Sequence, residues 1–324
     1  MPKKADTNDS NGSKPMGRTY TVSMAVAGSV IDNTMSLELA TLLAGQIARA
    51  AAIFRIDEVI VYDDNPSAAK ASAKARRWND CADDTGAVFM ARVLQYLETP
   101  QYLRRALFPM HASLRFVGLL PPLDPPHHLR KNEWLSYREG VVLEKTVEDG
   151  NGSYVNVGLA KDVIISEKLK PSTRVTVEMG SSRNFSRVSG EKLKAVAPSE
   201  PREKAGLYWG YSARLAPSFS SVFTDCPFKD GYDYGIGTSE HGEKPNSADF
   251  VIPPFKHLLI VFGGVTGLEW SLKQDTNIEV DEVSYLFDRY LNTCPAQGSR
   301  TIRTEEAILI SLQYLQNPIE RACQ

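Results

Sequence analysis

The chain is poor in cysteine: 324 residues hold four, Cys81, Cys226, Cys294 and Cys323, and none forms a C-x-x-C pair. Neither a disulfide framework nor a zinc site is indicated, and a reducing compartment fits best. Long hydrophobic runs are also missing. No stretch approaches the roughly 20 apolar residues of a membrane span, and Met1 to Gly17 is a polar mixture without the apolar centre of a secretory signal. Residues 1–17 are therefore expected to be a disordered tail, with the protein intracellular (nuclear, nucleolar or cytoplasmic), not secreted and not at a membrane. The five histidines, His111, His127, His128, His241 and His257, follow no metal-ligand spacing, so no metal is expected. G-x-S-x-G, H-E-x-x-H and G-x-x-x-x-G-K-[ST] are absent, which removes the readings those motifs carry. Excess charge is absent too. A net charge of −2 argues against nucleic-acid binding through overall basicity but leaves a local basic surface open.

What is present is an α/β pattern interrupted by β-type sequence. Thr21 to Val26 reads as a strand ending at Gly28. A long helix follows, with Leu39, Leu42, Leu43, Ile47, Ala50, Ala51 and Phe54 as its core-facing stripe, and then a buried strand, Val59 to Tyr62. Strand, helix, strand in that order suggests a parallel sheet. A second helix is expected over about Val88 to Leu97 and another strand over Leu114 to Leu119. Four prolines between Pro121 and Pro126 make a stiff connection, after which short β-type runs recur between turn signals: Gly140 to Leu143, Tyr154 to Val157, Asp162 to Ile165 and Arg174 to Glu178. Residues 126–204 are read as an inserted small antiparallel β-barrel, either of the oligonucleotide/oligosaccharide-binding (OB) type or a generic spacer. The flanks, 18–125 and 205–324, then form one discontinuous α/β domain. The insert carries 14 Lys plus Arg against 11 Asp plus Glu and is the only basic-leaning part of the chain. Arg183, Phe185, Arg187, Lys192 and Lys194 are candidates there for tracking a phosphate backbone and stacking a base, with a solvated loop as the plain alternative.

Three later strand candidates each feed a loop: Tyr232 to Ile236 into 237–242, His257 to Phe262 into 263–267, and Phe287 to Leu291 into 292–298. In an open α/β sheet such loops converge on a ligand beyond the carboxyl ends of the strands. Gly263 and Gly264 invite a dinucleotide reading, yet the motif is not G-x-G-x-x-G and lies too near the end of the chain to open a βαβαβ unit. His241 sits in a glycine-flanked loop beside the expected pocket, and Arg214, at a strand end, is a candidate phosphate holder. Thr301 or Thr304 is expected to cap a final helix from Glu305 that is apolar almost all round.

The segments Gly237 to Gly242, Val261 to Gly264 and above all Asn292-Thr-Cys-Pro-Ala-Gln-Gly-Ser-Arg-Thr-Ile-Arg-Thr-Glu-Glu-Ala307 resemble the C-terminal signature of the SPOUT-class (SpoU-TrmD) RNA methyltransferases, in the archaeal and eukaryotic subgroup with an inserted OB-like barrel. Gly28 to Asn33 and Leu43 to Arg49 match its N-terminal pattern, so the resemblance covers about Tyr20 to Leu315. It implies an α/β fold with a C-terminal trefoil knot, S-adenosylmethionine as cofactor, RNA as substrate and a homodimer. It also implies that Gly263 and Gly264 meet the cofactor through backbone, that Asn292, Thr293 and Cys294 line the next loop, and that Gln297, Gly298 and Ile302 complete it. His241 stands where the family usually has arginine. Arg214, Arg300 and Arg303 are the candidates for holding RNA phosphate or assisting proton loss.

The expected function is S-adenosylmethionine-dependent methylation of a pyrimidine base, at a uridine-type nitrogen, in large-subunit ribosomal RNA. A non-catalytic RNA-binding or assembly protein on the same scaffold is the alternative. A nicotinamide-dependent oxidoreductase using the Gly263 loop is a third.

Overall fold

The computed structural model describes residues 17–64, 85–148, 150–180, 192–246 and 249–323. The chain opens with β1 (Thr21–Ala27), the short helix α1 (Ser29–Asp32), α2 (Leu37–Ile53) and β2 (Glu58–Tyr62). Every residue of β1 and β2 is buried, as expected of strands covered on both faces. Ser36 caps α2 by accepting the Leu39 amide at 3.2 Å. The stripe differs from expectation: Leu39 is 49% and Leu42 37% exposed, while Leu37, Ala40, Ala44, Ile47, Ala48 and Ala51 are buried. Alanines four residues apart let the helix lie close to the next long helix, Gly86–Glu98, and to the final helix of the chain, so it turns that ridge inward and the larger leucines outward.

α3 (Gly86–Glu98) is capped by Thr85 and followed by α4 (Gln101–Leu107). The expected strand at Leu114–Leu119 is instead two 3-10 turns, Ala112–Leu114 and Val117–Leu119, lying against α3 and α2. The place beside β2 is already taken by a later strand.

β3 (Tyr137–Val142), β4 (Ser153–Asn156), β5 (Val163–Ile165), β6 (Arg174–Glu178) and β7 (Lys192–Val196) close into a barrel in the order β3-β4-β5-β7-β6. The barrel is mixed rather than purely antiparallel, because β5 and β7 run parallel. Five strands cannot close with every neighbour reversed, so one parallel pair is unavoidable. Val155, Val157, Val163, Ile165, Val175 and Val177 fill it. Arg183, Phe185 and Arg187 lie outside the described residues, as do residues 1–16; Lys192 and Lys194 are exposed on β7.

The chain then returns to the sheet through α5 (Glu200–Ala205), β8 (Ser212–Ala216), α6 (Ser221–Thr224), β9 (Tyr234–Glu243), β10 (His257–Phe262), α7 (Leu268–Gln274), β11 (Arg289–Leu291) and α8 (Thr304–Ala322). The sheet order is β11-β9-β10-β1-β2-β8, and every pair is parallel. A polar joint ties barrel to sheet. Arg174 on β6 donates to Glu98 at the end of α3 (2.6 and 3.0 Å) and to Glu139 on β3 (2.6 Å), and Glu139 also accepts from Trp209 at 2.7 Å.

Candidate functional site

The three expected loops do converge, at the carboxyl ends of β9, β10 and β11. The first is not a free loop. Tyr290 pairs with Gly237 and Leu291 with Glu243, so on the β11 side residues 238–242 bulge between two paired positions, while Thr238 still pairs with Phe262 of β10. Asn292 fastens this bulge to the last loop: its backbone amide donates to Glu243 O (2.7 Å), its Nδ2 to Glu240 O (2.8 Å), and its Oδ1 accepts the Cys294 amide (3.0 Å).

The second loop is a tight turn closed by the Gly267 amide donating to Gly264 O at 3.1 Å. Gly267 has φ +80, a conformation that favours glycine. A Cβ on Gly263 would lie 2.7 Å from the Gly267 carbonyl carbon and the Leu268 nitrogen, so a side chain there would push the turn apart. The Thr304 hydroxyl donates to Gly263 O (3.0 Å), joining the start of α8 to the glycine turn, and the Thr293 and Ser311 hydroxyls share a 2.8 Å bond. The capping expectation is thus corrected: Arg303 is the N-cap, its amide donating to Glu306 at 3.0 Å, and Thr304 turns to the glycine loop. α8 is also one-sided, with Ile308, Leu312 and Leu315 buried and Leu309 39% exposed.

These loops enclose a cavity of about 280 Å³, whose walls include His241, Gly263, Gly264, Asn292, Thr293, Cys294, Gln297 and Ile302. That volume is near the lower end for ligand pockets, closer to a single nucleoside than to a dinucleotide. Among the described residues, Glu240 and Glu269 line it and no lysine or arginine does. Two carboxylates repel a pyrophosphate and attract a cation such as a sulfonium or ammonium group. Close-approach glycines, hydroxyls at Thr293 and Ser311 and this charge fit a positively charged nucleoside derivative. They do not fit a nicotinamide dinucleotide.

The family model described as "Putative RNA methyltransferase" matches residues 21–315, nearly the whole described chain. The chain belongs to this family. It is 51% identical over 305 residues to the 28S rRNA (uridine-N(3))-methyltransferase of Homo sapiens, covering 93% of this chain and 79% of that protein. It is 46% identical over 306 residues to the Drosophila melanogaster protein of the same name, covering 93% and 62%. The solved SpoU methyltransferase AviRb from Streptomyces viridochromogenes, in complex with AdoMet, aligns over 95% of this chain and 60% of that one at 10% identity, with a TM-score of 0.33, too distant to argue from.

Within this RNA methyltransferase chain, several expected site residues fall elsewhere. Gly298 does not line the cavity, and a Cβ there would meet nothing within 4 Å. Arg214 sits on β8, at the sheet edge opposite β11. Its guanidinium donates to Glu58 (2.8 Å), to the carbonyls of Ser221 and Val222 (3.1 Å each) and to the Tyr232 hydroxyl (3.1 Å). A buried carboxylate at the start of β2 claims this arginine for the fold. Arg300 and Arg303 are exposed just outside the wall formed by Thr301 and Ile302, with Arg303 3.9 Å from Glu305. The His241 side chain is 74% exposed and 3.7 Å from Glu240, so it contributes rim rather than an anchored charge.

Glu269 was missed from sequence. It lies in the first turn of α7, and its Oε1 accepts the Tyr290 hydroxyl at 2.8 Å. Burial, with the Glu269 bond adding to it, pushes the Tyr290 phenol well up, so it stays a donor at neutral pH. The available signal was the Gly267-Leu-Glu269 sequence, which puts a carboxylate in the first helical turn after a glycine turn that lines the cavity.

Proposed function

We propose that this chain is an S-adenosylmethionine-dependent methyltransferase acting on N3 of a uridine in large-subunit ribosomal RNA. The observation that carries the reading is the cavity itself: three loops fastened by Asn292 and Thr304, lined by carboxylates and, among the described residues, by no lysine or arginine. The substrate is taken from what the human and fly relatives are named for. When bound, the cofactor supplies an electrophilic methyl group on a sulfonium. The SPOUT-type resemblance leads us to include a knotted C-terminal segment in the reading.

The Gly263 turn and the 292–302 loop hold the adenosyl group through backbone and hydroxyl groups, and Glu240 and Glu269 compensate positive charge. Holding the uracil in line with the methyl group supplies much of the rate. Uridine N3 carries a weakly acidic hydrogen that must leave, and Glu269, kept in place by Tyr290, is the carboxylate at the wall that accepts it. Arg300 and Arg303, exposed beside the cavity, meet RNA phosphate. The barrel is of the OB type, and Lys192 and Lys194 on β7 contribute to RNA binding. The protein acts as a homodimer: Leu39 and Leu42 on α2 and Leu309 on α8 are exposed apolar side chains on two helices that pack together, one of which begins at the cavity.

The test is transfer of labelled methyl from S-adenosylmethionine to ribosomal RNA from cells lacking the protein, with modified positions mapped. Label at uridine N3 that disappears in Asn292→Ala supports the reading. A folded protein that binds the RNA and never transfers label is a scaffold, and the enzyme reading fails.

A further inference from the structure

Between Glu98 and Asp124 the chain runs for 25 residues without an aspartate or glutamate, although acids make up 39 of its 324 residues. At that density about three would be expected. The same stretch carries Arg104, Arg105, His111 and Arg115, and the fold gathers them. The end of α4, the extended segment after it and the turn at Ala112–Leu114 border an open groove of about 800 Å³ lined by Tyr96, Arg104, Arg105, Phe108, Met110 and Arg115 among others, with no acidic residue in its wall among the described residues.

The floor of this groove is built rather than incidental. Arg104 donates from Nε to Thr99 O (2.9 Å) and from Nη2 to Leu97 O (3.0 Å), capping the last carbonyls of α3 and laying its guanidinium 4.7 Å over the Tyr96 ring. Tyr96 meets Phe108 edge to face at 5.4 Å. Arg92 donates to Ser113 (3.0 Å) and bonds His111 (3.3 Å), which fixes the far bank. Arg105 and Arg115 are exposed on the groove wall, Arg115 with its guanidinium 5.4 Å over the Phe116 ring, and Met110 is 103% exposed. An aromatic floor with guanidinium banks and a bare methionine at the lip combines phosphate contacts with flat apolar surface.

We propose that this groove is a second RNA-holding site, taking an unpaired segment of the RNA whose uridine enters the cofactor cavity. The inference rests on RNA being the substrate. Duplex would offer the arginines its phosphates and leave the rings idle, whereas unstacked bases use both. The groove is separate from the cavity. α3 begins beside Gly28, at the carboxyl end of β1, and runs away from it, so the groove lies about 20 Å along α3 from that end. It therefore anchors flanking RNA and leaves the reacting base alone.

The test uses the full chain carrying Arg105→Gln and Arg115→Gln together, and separately a benzoylphenylalanine photo-crosslinker at Met110, all exposed positions. The probe is large-subunit ribosomal RNA from cells lacking the protein, titrated over a range of KCl concentrations. Expected are an unchanged melting temperature and S-adenosylmethionine affinity, RNA binding weakened severalfold at low salt, and a slope of log K against log salt reduced by about 1 to 2. KM for RNA rises while kcat at saturating RNA holds, and the Met110 probe crosslinks RNA. An unchanged slope and KM, or crosslinks only to a second copy of the chain or to another protein, overturns the proposal. If the wild type transfers no methyl group yet binds RNA through these arginines, the catalytic reading falls and the groove stands.

Discussion

Gly263 and Gly298, from two segments of the same signature, carry the same expectation from sequence, and the structure separates their surroundings. Gly263→Ala forces a Cβ to 2.7 Å from backbone of its own turn, whereas Gly298→Ala meets nothing. Calorimetry with S-adenosylmethionine should show more than a tenfold loss for the first and a change within twofold for the second. Glu269→Gln keeps the shape of the wall and removes the proton acceptor. Methyl transfer near neutral pH should drop by about 10² to 10⁴ at saturating cofactor, well beyond the weaker cofactor binding that follows from leaving Glu240 as the remaining counter-charge. The variant's residual rate should climb with pH as the uracil begins to ionise unaided; a flat profile at wild-type rate would count against the carboxylate. That Asn292, Thr293 and Cys294 line one cavity was legible because their motif is contiguous. The pairing of Arg214 with Glu58 was not legible, because the two are 156 residues apart and nothing local records it. Glu269 escaped for a related reason, since its meaning depends on Tyr290 across the sheet.

At the scale of elements, the Arg174 joint is where barrel and sheet depend on each other. Arg174→Ala leaves Glu98 and Glu139 buried without their shared counter-charge, and denaturant unfolding should show a loss of about 3 to 5 kcal/mol. Burial works to raise the Glu98 carboxyl, but the Arg174 charge and the His127 hydrogen bond outweigh it and hold the group at about 2 against an ordinary 4.5. A depressed carboxyl stabilises the fold above the ordinary value and loses that contribution as pH falls from about 4.5 towards about 2. Trp209, bonded to Glu139, should report loosening of the joint by fluorescence in that window; a signal constant down to pH 2 would contradict it. Strand and helix positions in 21–62 were readable from local periodicity, and so were four barrel strands. The parallel pair β5 and β7 and the bulge at 238–242 were not, because both are decided by which strand arrives alongside.

For the whole molecule, the outward leucines of α2 carry the most weight. A soluble monomer gains nothing from Leu39 and Leu42 facing water while alanines fill the core side. Light scattering should give twice the chain mass, and Leu42→Glu should return a folded monomer. If the wild type is monomeric at micromolar concentration, the homodimer reading goes. The fastening of Asn292 to the β9 bulge and of Thr304 to Gly263 bears on how the protein is made. The glycine turn can close once Gly267 has left the ribosome, but the β9 bulge and the third wall wait for the Tyr290–Ser311 segment to emerge and dock. A nascent chain therefore cannot capture the cofactor early, and occupancy of the cavity reports that this segment has been synthesised and seated.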